Sequence, residues 1–161
     1  PVTIENWLEG FRDANLRRVR GVIVNGHITN TCLFNPFNMM TARLSSFNMV
    51  RKVARLNLTL AMQRLDRAYH VGIAEEYQAS LCLLLNKIGK FPDQCRCDSS
   101  KGLNVEHFSW GTDTSSVVLS PKARELIAQI TTFDKVLYEH ARHLFIHDLR
   151  EHGLECLLGR K

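Results

Sequence analysis

Between Tyr69 and Leu84 the chain passes from a short β-like run, Tyr69 to Ile73, through Gly72 into an acidic helix start at Glu75-Glu76 and an apolar helical face. This stretch constrains the fold most, because it holds the one convincing buried strand in a pattern otherwise dominated by helices. A lone strand cannot satisfy its own backbone N–H and C=O groups. A strand at 69–73 therefore demands partner strands that the remaining sequence barely supplies. Gly72 within the run suits a strand packed closely against a neighbour. The pattern predicts either one domain over 1–161 or a mostly helical part of a larger α/β unit, in which a missing segment or a partner chain would complete the sheet.

Helical periodicity accounts for most of the rest. Residues 3–18 read as an amphipathic helix with Thr3 as N-cap and Ile4, Trp7, Leu8 and Phe11 on one face. Residues 21–37 read as loop, with a β-branched run Val22-Ile23-Val24 and turn signals at Asn25-Gly26 and Asn35-Pro36. A long helix is predicted over 46–68, with Arg51, Lys52, Arg55, Arg64 and Arg67 around its polar circumference. Another spans 75–88 and stops at Gly89. Residues 90–119 lack periodicity and read as a long surface loop able to cover a site. Ser120-Pro121 opens a helix to about Ile130, Ser as N-cap and Pro at the first helical position. Thr131 with Asp134 resembles a capping box for a last helix. That helix runs to about His152, with Phe133, Leu137, Ala141 and Leu144 on its apolar side and Asp148 at the polar end of the stripe.

A chain of 161 residues can bury a real core. No apolar run approaches the roughly 20 residues a membrane-spanning helix needs. The formal charge of +5 is uneven: residues 1–70 carry ten Lys/Arg against four acids, and residues 71–161 eleven against twelve. A basic first half suits a polyanion; a solvated face laced with ion pairs is the ordinary alternative. The Arg-rich helix lacks interleaved aromatics and any helix-turn-helix or zinc motif, which argues against nucleic acid. Five Cys, at 32, 82, 95, 97 and 156, are an odd number. The lone Cys95-x-Cys97 pair is weak evidence for zinc. In an oxidising compartment Cys95 or Cys97 has Cys32 or Cys156 as a candidate partner. No signal peptide is visible, and a start at Pro1 rather than Met leads us to expect a processed or truncated N-terminus.

Four segments in succession resemble the C-terminal part of the membrane-associated carbohydrate sulfotransferases, the group containing the heparan sulfate 6-O-sulfotransferases. They are Thr3-Ile4-Glu5-Asn6-Trp7-Leu8; Asn38-Met39-Met40-Thr41-Ala42-Arg43-Leu44, similar to the family's "NxQxRxL"; the 69–84 stretch, similar to "VGxxExxxxSLxLL"; and Leu119 to Phe145, similar to the terminal helix "DxxLYxxAxxxF" through Asp134, Leu137, Tyr138 and Ala141. Met40 stands where the family usually has Gln. The resemblance implies a P-loop-like α/β fold, a Golgi or secretory-pathway glycoprotein, and an enzyme. That enzyme would move a sulfuryl group from 3′-phosphoadenosine 5′-phosphosulfate to a carbohydrate hydroxyl, with an anionic glycan as one acceptor and no metal. No GxxxxGK-like donor loop is visible, so these residues alone are expected to give no turnover, and no catalytic residue is assigned in them. The alternative is a non-catalytic scaffold or interaction domain that keeps this part of the fold without the donor site.

Asn38 and Arg43 are the leading acceptor- or donor-contact candidates, because the family motif aligns there, with Arg51, Lys52 and Arg55 as further contacts to an anionic glycan. Gly72, Glu75, Ser80, Asp134 and Tyr138 are candidate structural motif residues. Glu75 follows the proposed strand end, where α/β folds place ligands, yet it also suits the helix dipole. His140, His143 and His147 lie along one side of the last helix. His143 and His147 have the i, i+4 spacing of a zinc pair, but Leu144 replaces the glutamate of HExxH, and a surface stripe is the better reading. Trp7, Phe11 and Tyr138 read as core. Asn57-Leu58-Thr59 is a formal glycosylation sequon placed inside the predicted 46–68 helix.

Overall fold

The computed structural model describes residues 3–16, 22–24, 27–29, 36–45, 56–99 and 118–160, with the backbone alone for 14–16 and for the two short strands. The chain divides into two compact units, Pro1–Met62 with Asp113–Leu137 and Gln63–Thr112 with Tyr138–Lys161.

In the first unit, α1 (Ile4–Leu16) lies against the hairpin strand β1 (Val22–Val24) and against α5 (Pro121–Ile130). The Thr3 hydroxyl accepts the Asn6 N–H at 3.2 Å and so caps α1. β1 pairs antiparallel with β2 (His27–Thr29), Val24 opposite His27, across the Asn25-Gly26 turn signal. Leu8, Ala123, Leu126 and Ile130 form the core, joined by Phe37, Leu119 and Ile127. Phe11 is also buried, whereas Trp7 remains 38% exposed and meets the Phe11 ring edge-on at 4.5 Å between centroids. Ser120 caps α5 as its sequence predicts, accepting from Ala123 N at 3.1 Å. Its hydroxyl also donates to Glu5 at 2.6 Å, which holds the Glu5 carboxyl below its ordinary value. Two further short elements begin in this unit, α2 (Met39–Ser45) and α3 (Leu58–Asp66). Of the helix predicted over 46–68, the structure bears out this last part; Arg51, Lys52 and Arg55 lie outside the described residues.

The second unit packs α4 (Tyr77–Lys87) and the greater part of α6 (Thr132–Glu151) around Val71, Ile73, Ala79, Leu83, Phe145 and Leu149, closed at the C-terminus by Leu154 and Leu157. The buried stripe of α6 runs Leu137, Ala141, Phe145 and Leu149 in steps of four, five residues beyond Leu144, where the sequence pattern ends it. Phe133, expected on that stripe, is 38% exposed. Gly153 ends the chain's run after α6 with a positive φ of 65°, the left-handed conformation that favours glycine.

The predicted strand at 69–73 does not form, and the α/β assignment falls with it. Val71 and Ile73 are buried, and Ile73 has extended dihedrals (φ −112°, ψ 126°), yet among the described residues this segment pairs with no strand. Side chains of α4 do what a sheet would have done. Ser80 Oγ accepts the Ile73 N–H at 2.8 Å and donates to the Ile73 carbonyl at 3.0 Å. Lys87 Nζ donates to the Tyr69 carbonyl at 3.0 Å, while the Tyr69 hydroxyl donates to the Lys87 carbonyl at 2.6 Å. The Ile73 N–H and C=O and the Tyr69 C=O, satisfied in this way, need no neighbouring strand. A one-turn 3-10 helix, Ala74–Glu76, then leads into α4. The described fold is mostly helical, with the β1–β2 hairpin as its only sheet among the described residues.

Gly72 matters here for a reason other than strand packing. A Cβ at this position would lie 3.1 Å from Ser80 Cβ and 3.2 Å from His70 Nε2. Gly72→Val is expected to cost about 1–3 kcal/mol through this crowding, read as a lower urea midpoint at unchanged slope. An unchanged midpoint would contradict the close approach to Ser80.

Two disulfides pin the segment after α4: Cys82–Cys95, with Cα atoms 5.4 Å apart, and Cys97–Cys156, at 5.6 Å. The second is among the pairings the sequence left open. The first is not, because Cys82 was read only as a helical residue. Cys32 lies outside the described residues. Of the predicted loop over 90–119, residues 91–99 carry a 3-10 turn at Asp93–Cys95, and 100–117 lie outside the described residues. None of the described helices is long and apolar enough to cross a membrane.

Candidate functional site

The motif residues Asn38 and Asp134 meet, although they are far apart in sequence. Asn38 is 2% exposed and adopts φ 43°, a left-handed conformation that Asn tolerates better than most residues. Its Oδ1 accepts the N–H groups of Phe133 at 2.7 Å and Asp134 at 3.1 Å, capping α6, and its own N–H reaches the Ile130 carbonyl at 2.8 Å. In return the Asp134 carboxylate accepts Met40 N at 3.0 Å, Thr41 N at 2.7 Å and the Thr41 hydroxyl at 2.7 Å, capping α2. Each helix start therefore caps the other, and the Asp134 charge faces the positive end of α2. The capping box expected from Thr131 and Asp134 is not used: Thr131 Oγ1 donates back to the Ile127 carbonyl at 2.7 Å.

This arrangement sorts the sequence candidates. The Asn38 oxygen is engaged by α6. Arg43, one turn beyond the clamp on α2, is exposed. In the second unit Ser80 holds Ile73 beside Gly72, and Tyr138 packs against the core. Burial first, then the neighbouring Glu75 carboxylate, pushes the Tyr138 hydroxyl above its ordinary pKa. Glu75 is exposed, and Glu76 accepts the Gly159 N–H at 2.8 Å. His140 pairs with Asp66 at 2.6 Å, while His143 and His147 are exposed. Among the described residues no three His, Cys, Asp or Glu side chains are placed to hold a metal ion.

The donor implied by the resemblance carries a phosphosulfate, which a helix start with free N–H groups would suit. The described helix starts are otherwise committed. Thr3 caps α1, Asp134 caps α2, and Asn57 Oδ1 accepts Leu60 N at 2.9 Å at the start of α3. Glu75 and Glu76 precede α4, Ser120 caps α5, and Asn38 caps α6. Carboxylates at or beside three of these starts, Asp134, Glu75 with Glu76, and Glu5 against Ser120, would repel an anion. The described residues do not fit the donor's anionic group.

His70 is the titratable group that the sequence did not single out. Its Nδ1 is buried with no hydrogen-bond partner among the described residues. Burial lowers its pKa from 6.5, the Lys87 ammonium lowers it further, and Asp148, ion-paired to Lys87, acts in the opposite direction. A lowered folded-state pKa means the unfolded chain protonates first, so stability is full above pH 6.5 and declines as the pH falls below it. His70→Leu is expected to flatten the stability profile between about pH 7 and pH 5 relative to wild type. Parallel profiles in urea titrations would contradict this burial.

No protein-family model matches the chain, and neither does any curated protein or solved structure. Its functional reading therefore rests on the residues themselves.

Proposed function

We propose that the chain is the acceptor-side portion of a carbohydrate sulfotransferase of the secretory pathway, whose donor grip is supplied by residues outside those described. One observation carries the reading. Two of the segments that resemble the family, Asn38–Leu44 and Phe133–Ala141, are joined by five hydrogen bonds across the reciprocal helix cap. The third segment is likewise tied to itself, Ser80 to Ile73 beside Gly72. The motif residues thus hold the frame, and Arg43 is the exposed cation that the frame displays. Two disulfides support an oxidising compartment.

The test is transfer of labelled sulfate from 3′-phosphoadenosine 5′-phosphosulfate to a glycan panel by the full-length native polypeptide. Arg43→Ala is expected to lower kcat/KM roughly 10- to 150-fold, the value of a charge-assisted hydrogen bond to an anion, with little change in Tm. Loss of stability with unchanged activity per folded molecule would reduce Arg43 to a structural role. Glycan binding without transfer by the full-length polypeptide would favour the scaffold reading instead.

A further inference from the structure

The second unit contains a cleft of about 320 Å³ whose walls come from three places: Asn86 near the end of α4, Phe91 to Asp98 in the following segment, and His152 to Leu154 after α6. That volume is at the small end of ligand pockets, about 300–1,000 Å³. Phe91 stands at one wall with 43% of its surface exposed. Around it lie Asn86, Arg96, Asp98 and His152. Among the described residues the side chains of Asn86 and His152 have no hydrogen-bond partner, so their donors and acceptors remain available. Arg96 has Asp93 at 3.5 Å and Asp98 at 3.9 Å, so the cation at the cleft is balanced by acids.

The walls are fixed to one another. Cys82–Cys95 ties the Phe91–Asp98 segment to α4, and Cys97–Cys156 ties it to the chain after α6. The Arg160 guanidinium clamps the same segment by donating to the carbonyls of Arg96, Cys97 and Ser99. Gly153, at φ 65°, contributes backbone without a side chain, and a Cβ there would meet nothing within 4 Å. A site whose walls are cross-linked loses little conformational entropy on binding.

We propose that this cleft binds one uncharged pyranose ring of a glycan. A pyranose presents a C–H face, which an aromatic ring accepts through its negative π face, and a rim of hydroxyls that both donate and accept. The cleft offers the complementary set: one exposed ring, an amide that does both, a guanidinium donor, a carboxylate acceptor and an imidazole. The balanced charge does not favour a polysulfated ring or a phosphate. The inference rests on the cleft alone, so it can fail while the transfer reading stands, and the reverse.

The test is a titration of the native polypeptide with uncharged hexoses and N-acetylhexosamines, followed by amide and side-chain NMR shifts, with glycerol as control. Saturable shifts at Phe91, Arg96 and His152 are expected, with Kd in the millimolar range fitting so small a ligand. Phe91→Leu, which keeps apolar bulk and removes the ring, is expected to weaken binding at least about fivefold without shifting Tm, because the side chain is half exposed. His152→Ala serves as a second variant and is expected to weaken binding while leaving Phe91 shifts in place. No saturable shift for any sugar, shifts reproduced by glycerol, or full affinity in Phe91→Leu would each overturn the proposal. Binding with failed sulfate transfer separates this site from the function proposed above.

Discussion

Removing the two disulfides is expected to unfold the second unit at room temperature. In the chain-entropy model, cross-linking Cys97 to Cys156 across 59 positions stabilises by about 4 kcal/mol, and Cys82 to Cys95 across 13 positions by about 3 kcal/mol. Together they match a large share of the roughly 5–15 kcal/mol by which whole domains are stable. A unit this small has a correspondingly small core to fall back on. The three tyrosines, Tyr69, Tyr77 and Tyr138, all belong to that unit. Their near-ultraviolet circular dichroism therefore reports on it directly. Urea titration with and without reductant should move the tyrosine transition to far lower denaturant. The paired replacement Cys97→Ala with Cys156→Ala should reproduce more than half of that movement. A shift below about 1 kcal/mol would mean that the unfolded chain gains almost nothing from release of the cross-link. The entropic account of the second unit would then be wrong.

The legible parts of the fold are those whose causes are local. Ser120-Pro121 marks the start of α5 because cap and fixed φ act within one turn. Leu137, Ala141 and Leu144 place α6 because helical periodicity is a property of the segment itself. Residues 21–37 read as loop, yet Val22–Val24 and His27–Thr29 pair as strands; three residues are too few for alternation to mark a strand. The failure at 69–73 has a different origin. Buried β-branched residues need extended backbone but not a sheet, and the groups that replaced the sheet, Ser80 and Lys87, lie on the following helix and act through side chains. Periodicity carries no trace of such bonds.

The candidate site follows the same rule. Arg43 was reachable through the motif around it. The reason for the motif, a cap exchanged between Asn38 and Asp134, joins positions 96 apart and cannot be read from spacing. Thr131-x-x-Asp134 drew the eye as a local capping box, and the partner that Asp134 took was a stronger one elsewhere: three donors rather than one. Cys82–Cys95 escaped for lack of geometry, since five cysteines allow many pairings and only the fold brings α4 against the Asp93–Cys95 turn. His70 escaped because a histidine within an expected strand gives no sign of the lysine that the following helix brings beside it.

Asp134→Ala is expected to destabilise the chain by about 3 kcal/mol, more than any other single polar substitution considered for it. The carboxylate accepts three hydrogen bonds, and Thr41, which supplies two of the donors, is fully buried. Its removal leaves those donors without partners and withdraws a charge from the start of α2, where the former effect costs about 1–3 kcal/mol and the latter a few tenths to 1. Asp134→Asn keeps one acceptor oxygen and is expected to lose about half as much. Asn38→Gly preserves the left-handed backbone but leaves the Phe133 and Asp134 N–H groups without their acceptor, so about 1 kcal/mol should be lost; Asn38→Ala should lose more, because a Cβ is strained at φ 43°. The decisive measurement is the double-mutant cycle of Asn38→Gly with Asp134→Ala in urea. Since either change loosens both helix starts, the second should cost less in the presence of the first, giving a coupling of at least about 0.5 kcal/mol. Simple additivity would mean two independent caps rather than one clamp. It would also remove the main support for treating Asn38–Leu44 and Asp134–Ala141 as parts of a single packed frame. Coupling with retained Arg43 exposure would leave that frame intact and make Arg43→Ala the sharper probe of what it displays.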